Sequence, residues 1–136
     1  MIRFCFILTI LLMFAAGCKT TGEYHSLLTM QDSGRTLSLN PGDSFRIALQ
    51  SNPTTGFSWI EAGKTDPDVI RLTAKQFVSA QKQKELVGVP GETEFIYKAV
   101  GTGETEIRLN YKRPWETVAP VKTFMLKLFV QKRSCL

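Results

Sequence analysis

The chain holds one histidine, His25, and three cysteines, Cys5, Cys18 and Cys135. Their spacing supports little chemistry. His25 has no second His or Cys at zinc-ligand spacing, so no metal site is expected. A Ser–His–Asp or Cys–His arrangement would have to run through His25, and nothing beside it resembles a nucleophile motif. Gly101 and Gly103 lead into a strand-like stretch rather than a helix, so they do not form a phosphate loop. Carboxylates are scattered: Glu104 and Glu106 fall on the polar face of an alternating segment, and no pair is placed for acid–base work. No cofactor is implied, and an enzyme is not the expected reading.

Three connections instead carry residue types that a plain turn does not require. The first is "NPTTG": Asn52, Pro53, Thr54, Thr55 and Gly56. Pro53 fixes its own φ and pushes Asn52 into an extended shape, while Gly56 permits a positive φ where the chain re-enters a strand. Thr54 and Thr55 are stiff at χ1, with hydroxyls able to bond nearby backbone. The product is a small rigid wedge. The second is "GVPG": Gly88, Val89, Pro90 and Gly91, whose glycines leave the backbone bare to close approach. The third is "RPW": Arg113, Pro114 and Trp115, which joins a planar cation, a rigid ring and the largest aromatic side chain. Arg and Trp are enriched in interface hot spots. Each loop alone admits a plainer account. "NPTTG" could be a hairpin turn, a glycine pair says little, and Trp115 could cap a core.

What positions these loops is period-two patterning. Phe45, Ile47 and Leu49 alternate with Ser44, Arg46 and Gln50; Thr105, Ile107, Leu109 and Tyr111 alternate with charged or amide residues; Phe124, Leu126, Leu128 and Val130 alternate with Thr123, Met125, Lys127 and Phe129. Phe95, Tyr97 and Ala99 form a similar row, as do Ile70, Leu72 and Ala74. Such alternation marks antiparallel strands with one face on a core and one on water. "NPGD" at residues 40–43 suits a type II turn, and "GTG" at 101–103 a tight link. No window offers a convincing helix. The segment from Ser79 to Gly88 reads as an extended polar loop. Seven to eight strands are expected, at roughly 27–30, 35–40, 43–50, 57–62, 69–77, 92–100, 104–112 and 121–131, and together they argue for an all-β, immunoglobulin-like antiparallel β-sandwich. The three loops are alternate connections, and in a sandwich alternate connections gather at one end, where a rigid scaffold can present them for binding.

The ends of the chain read differently. Residues 1–17 form a signal segment: Arg3, then an apolar stretch over residues 4–14, then Ala15, Ala16 and Gly17 before Cys18. The stretch is short for a bilayer span. The "FAAGC" junction resembles a bacterial lipoprotein signal, with Cys18 as the lipidated N-terminus; Ala15 stands where Leu is usual, and the alternative is an ordinary signal peptide cut nearby. Lys19 after the Cys favours the outer membrane in a Gram-negative cell. Residues 18–26 read as a polar tether and 27–133 as the single domain. With Cys5 removed and Cys18 lipidated, Cys135 is left alone, so no internal disulfide is expected. The net charge of +5, +4 once Arg3 leaves, is spread along the chain and gives no nucleic-acid patch. A monomer is expected.

Taken together, "NPTTGFSW", "GVPG" and "YKRPWE" resemble the chagasin-like inhibitors of papain-family cysteine peptidases, over a match from about Leu27 to Gln131. Phe57 stands where Tyr is common, and the basic segment between Gln76 and Val87 is an addition. The resemblance implies an immunoglobulin-like sandwich that inserts three loops into the peptidase cleft. It implies that the 52–56 loop covers the catalytic Cys and His of the enzyme, with Thr54 and Thr55 nearest. The 88–91 loop would lie along the non-primed subsites, and the 113–115 loop would grip the primed side through Trp115. The expected activity is reversible, competitive, tight-binding inhibition. The alternative is a membrane-anchored immunoglobulin-like adhesion or envelope-assembly module with a non-peptidase partner, which has no reason to carry all three loops.

Overall fold

The computed structural model describes residues 24–80 and 90–132. The signal segment, Cys18, Gly88, Val89 and Cys135 lie outside the described residues. Eight strands are described: β1 (Tyr24–Leu28), β2 (Thr36–Leu39), β3 (Ser44–Ser51), β4 (Ser58–Glu61), β5 (Ile70–Ser79), β6 (Gly91–Ala99), β7 (Gly103–Lys112) and β8 (Lys122–Val130). They form two four-stranded sheets, ordered β1-β3-β6-β5 and β2-β8-β7-β4. The architecture is the expected immunoglobulin-like sandwich.

The alternation sets the two inner faces. Phe45, Ile47 and Leu49 of β3 and Phe95, Tyr97 and Ala99 of β6 are buried on one sheet; Ile107 and Leu109 of β7 and Phe124, Leu126, Leu128 and Val130 of β8 are buried on the other. Each such side chain contributes about 1.5–3 kcal/mol when fully buried. Trp59 of β4 is 1% exposed and donates its indole N–H to the Gln50 carbonyl at 3.0 Å, tying the edge of one sheet to the other. Tyr97 is equally buried, and its hydroxyl donates to Glu61 Oε1 at 2.7 Å. Burial first, and the Glu61 carboxylate second, push the Tyr97 hydroxyl far above its ordinary pKa, so it stays a neutral donor. The "NPGD" turn forms with Gly42 at φ 98° and Asp43 N–H donating to the Asn40 carbonyl at 3.1 Å.

The structure departs from the sequence reading at the edges. The sandwich is not wholly antiparallel: β1 runs parallel to β3, and β2 parallel to β8, while the other ladders are antiparallel. β1 begins at Tyr24, so Tyr24, His25 and Ser26, expected in the tether, belong to the sheet. The strand expected at 27–30 ends at Leu28, because Met30–Asp32 closes a 3-10 turn capped by Thr29 and Asp32. In β5 the ladder shifts register between Leu72 and Ala74, with Thr73 as the extra residue, so the expected row of Ile70, Leu72 and Ala74 is broken. Ile70 is buried, but Leu72 is 38% exposed. Beyond the bulge Lys75 pairs with Phe95; its ammonium lies over that ring and donates to the Trp59 carbonyl. A bulge and an inward charge are both devices that blunt a free sheet edge.

Candidate functional site

The ladders place the three loops at one end. Ser51, where β3 ends, pairs with Gly91, where β6 begins, and Gly91 also pairs with Ser79 at the end of β5. In the other sheet Ser58 pairs with Lys112 and Tyr111 with Lys122. The connections 52–57, 80–90 and 113–121 therefore leave the same pole. A cleft of about 650 Å³ opens at this pole beside the first and second connections, lined by Asn52, Ser79, Pro90 and the strand-end residues Tyr111 and Lys122.

The first loop is a single 3-10 turn, Pro53–Thr55, entered from extended Asn52 and left through Gly56 at φ 78°. Its hydroxyl protons are used internally. Thr54 Oγ1 donates to Asn52 Oδ1 at 2.6 Å, and Thr55 Oγ1 donates to the Asn52 carbonyl at 2.7 Å. Pro53, Thr54 and Thr55 are exposed, so the wedge shows solvent a ring, methyl groups and oxygen lone pairs. Phe57 and Trp59 seat it in the sandwich: Phe57 is half-buried and Trp59 is core.

The third loop leans on the first. Trp115 is 69% exposed, and its indole packs on Gly56: a Cβ added there would lie 2.6 Å from Trp115 Cη2. Both the left-handed backbone and the indole therefore require glycine at 56. Trp115 is not a core cap. Arg113 turns inward along the loops. Its Nε–H donates to the Thr55 carbonyl at 3.2 Å, its Nη1 pairs with Glu116 at 3.0 Å, and its guanidinium lies 4.6 Å from the Phe57 ring centroid. Pro114 is exposed beside it.

Of the second loop, Pro90 is exposed and Gly91 is the first residue of β6. Gly91 is buried, and an added Cβ would meet the Val78 carbonyl oxygen at 2.3 Å and the Phe77 ring at 2.7 Å. Its glycine is required by packing within the sheet. Gly88 and Val89 lie outside the described residues.

Two residues of this pole were not singled out for it from sequence. Tyr111 stacks on Phe57 at 5.4 Å and lies tilted by 35° against Trp59 at 5.0 Å, and its hydroxyl accepts the Asn52 backbone N–H at 3.1 Å. Glu116 holds Arg113. The spacing of "YKRPW" carried the first signal: residues two apart at a strand end share a face, so Tyr111 and Arg113 point the same way. Among the described residues no group of His, Cys, Asp or Glu could hold a metal ion, and no helix is long and apolar enough to cross a membrane. The pole offers stiff shape and apolar surface, which suits binding.

Known proteins share this pattern. The model of the chagasin family of peptidase inhibitors, I42, matches residues 38–128. Amoebiasin-1 of Entamoeba histolytica is 33% identical over 104 residues, covering 76% of this chain and 98% of that protein. Chagasin of Trypanosoma cruzi is 33% identical over 90 residues, covering 65% of this chain and 81% of that protein. The crystal structure of the cysteine protease inhibitor EhICP2 from Entamoeba histolytica aligns with a TM-score of 0.68 at 27% identity, covering 77% of this chain and 94% of that one.

Proposed function

The chain belongs to the chagasin family of peptidase inhibitors, and we propose that it blocks papain-like cysteine peptidases reversibly and competitively by filling the active-site cleft with its three loops. The observation that carries this reading is the shared pole: Thr54 and Thr55 exposed on the first loop, Trp115 packed on Gly56 beside them, and Pro90 lining a cleft with Asn52 at the same end. The wedge resists cleavage for a physical reason. Peptides that bind in grooves by strand addition do so as extended chains, whereas Pro53–Thr55 is a closed turn whose hydroxyls are bonded to Asn52. Its stiffness keeps the ordering cost of binding low. Loops of this reach can bury about 800 Å² per partner, the standard size for protease–inhibitor complexes. Inhibition by occlusion needs no reactive group from the inhibitor. Titrating papain or a cathepsin with residues 19–136, which retain every described strand, should give stoichiometric, reversible, competitive inhibition. A folded domain that leaves these enzymes active at micromolar concentration would refute the proposal.

We further propose that the protein is exported and held at a membrane by lipid on Cys18. Support comes from Arg3, the apolar stretch and the Ala15-Ala16-Gly17-Cys18 junction. The strand order is compatible with it. Tyr24 pairs with Ser44, and β1 runs parallel to β3, so the chain enters the sandwich at the pole opposite the loops. An anchor there would leave the loops facing away from the membrane. Lys19 favours the outer membrane if the cell is Gram-negative. Cys18→Ser should move the protein from the detergent phase to the aqueous phase on phase partition. Equal partition of variant and wild type would overturn the anchor and leave the inhibitor reading untouched.

A further inference from the structure

We propose that Tyr111, Phe57 and Arg113 are positioning residues, a stacked column that locks the loops of residues 52–56 and 113–115 into one preformed edge, so that Arg113 acts on the peptidase through the 52–56 loop. The inference rests on the loop-insertion reading above and deepens it. The ladder between β4 and β7 ends at Ser58 and Lys112. Beyond that pair, among the described residues, no backbone-to-backbone hydrogen bond joins the two loops. Side chains take over. The Tyr111 ring contacts both Trp59, which is core, and Phe57, which is half-buried. Its hydroxyl receives the Asn52 N–H, fixing the start of the wedge. Phe57 carries the Arg113 guanidinium on its face, and Arg113 in turn holds the Thr55 carbonyl at the end of the wedge.

The column thus grips the 3-10 turn at both ends from a single strand terminus. Glu116 engages the same guanidinium, and the Trp115 indole closes the assembly on Gly56. A guanidinium with one face on an aromatic ring and two of its nitrogens bonded within the chain is committed to its own loops. Lys could not replace it, because an ammonium lacks the planar fork. The consequence for binding is preorganisation: the wedge and the indole arrive as one surface, and little ordering cost for these two loops falls on the encounter.

Two measurements on residues 19–136 test this. The first is a double-mutant cycle read as inhibition constants for papain, with Arg113→Ala on one side and the joint Thr54→Ala/Thr55→Ala change on the other. Each is expected to weaken inhibition about tenfold, and the combination to fall much nearer tenfold than the hundredfold product, because residues acting as one unit are not additive. Effects that multiply would mean that Arg113 meets the peptidase independently, which overturns the inference. The second needs no peptidase. In the free domain the Gly56 Hα that points at the rim of the Trp115 indole, nearest Cη2 and Cζ2, should be displaced from its ordinary position by the ring current. Arg113→Ala and Phe57→Leu should relax that shift, while Phe57→Tyr, which keeps the ring, should retain it. Gly56 resonances unmoved by Arg113→Ala would overturn the column. A wild-type domain that inhibits nothing would refute the loop-insertion reading instead, and the Gly56 shift would still decide whether the column exists.

Discussion

Trp59→Ala is expected to cost about 3–5 kcal/mol, a large part of the roughly 5–15 kcal/mol that holds such a domain folded. Trp59 is 1% exposed and is the largest of the fully buried side chains. Its removal opens a cavity under Tyr111 and strips the Gln50 carbonyl of its indole donor. The lost hydrogen bond adds to the cavity cost. Thermal unfolding should move down by about 10–30 °C, given a few degrees per kcal/mol for a domain of this size. Inhibition should disappear only as the fold does. A melting point within a few degrees of wild type would contradict the placement of Trp59 as the pin between the sheets.

Trp115→Ala should show the opposite signature. The indole is 69% exposed and contributes little to the core. Truncating it should leave stability within about 0.5 kcal/mol, as for most surface changes. If Trp115 is a hot spot, inhibition should weaken about 10–100-fold, equivalent to about 1.4–2.7 kcal/mol. The loss has two sources. One is the contact area an exposed indole offers an apolar wall. The other is the side of the wedge it covers at Gly56, which a truncated side chain leaves open. The loss should appear mainly as faster dissociation, since mutants of one interface differ chiefly in that rate. A falling melting temperature with unchanged inhibition would return Trp115 to the role of a structural cap. The two tryptophans therefore separate fold from function on a single scaffold.

Much of this was legible because side-chain alternation is a local record of burial. Phe45, Ile47 and Leu49, or Phe124, Leu126, Leu128 and Val130, announce which face is covered whatever lies across from them. The wedge was legible too: Pro53 and Gly56 restrict their own backbones, so the 3-10 turn with its left-handed exit is written in those residue types. The clustering of three alternate connections at one pole follows from any sandwich topology. Family membership rode on the same short motifs.

Other features depend on residues far apart in the chain, and no local pattern encodes them. The parallel pairing of β1 with β3 and of β2 with β8 reflects which strands lie beside them in space. The bulge at Thr73 shifts register against β6, and only the partner strand reveals the slip. Gly91 reads in sequence as half of a bare-backbone loop, yet its glycine is imposed by the Phe77 ring and the Val78 carbonyl of the neighbouring strand. Arg113 reads as a cation offered to a partner, yet the Phe57 ring, the Thr55 carbonyl and Glu116 claim it. The sequence by itself determined the faces of the strands, the shape of the wedge and the identity of the loops, because those follow from periodicity and from single-residue backbone limits. Only the tertiary structure decided that Gly56 and Trp115, 59 positions apart in the numbering, touch and make two loops one edge, because a contact between distant residues is fixed by ladder register and packing.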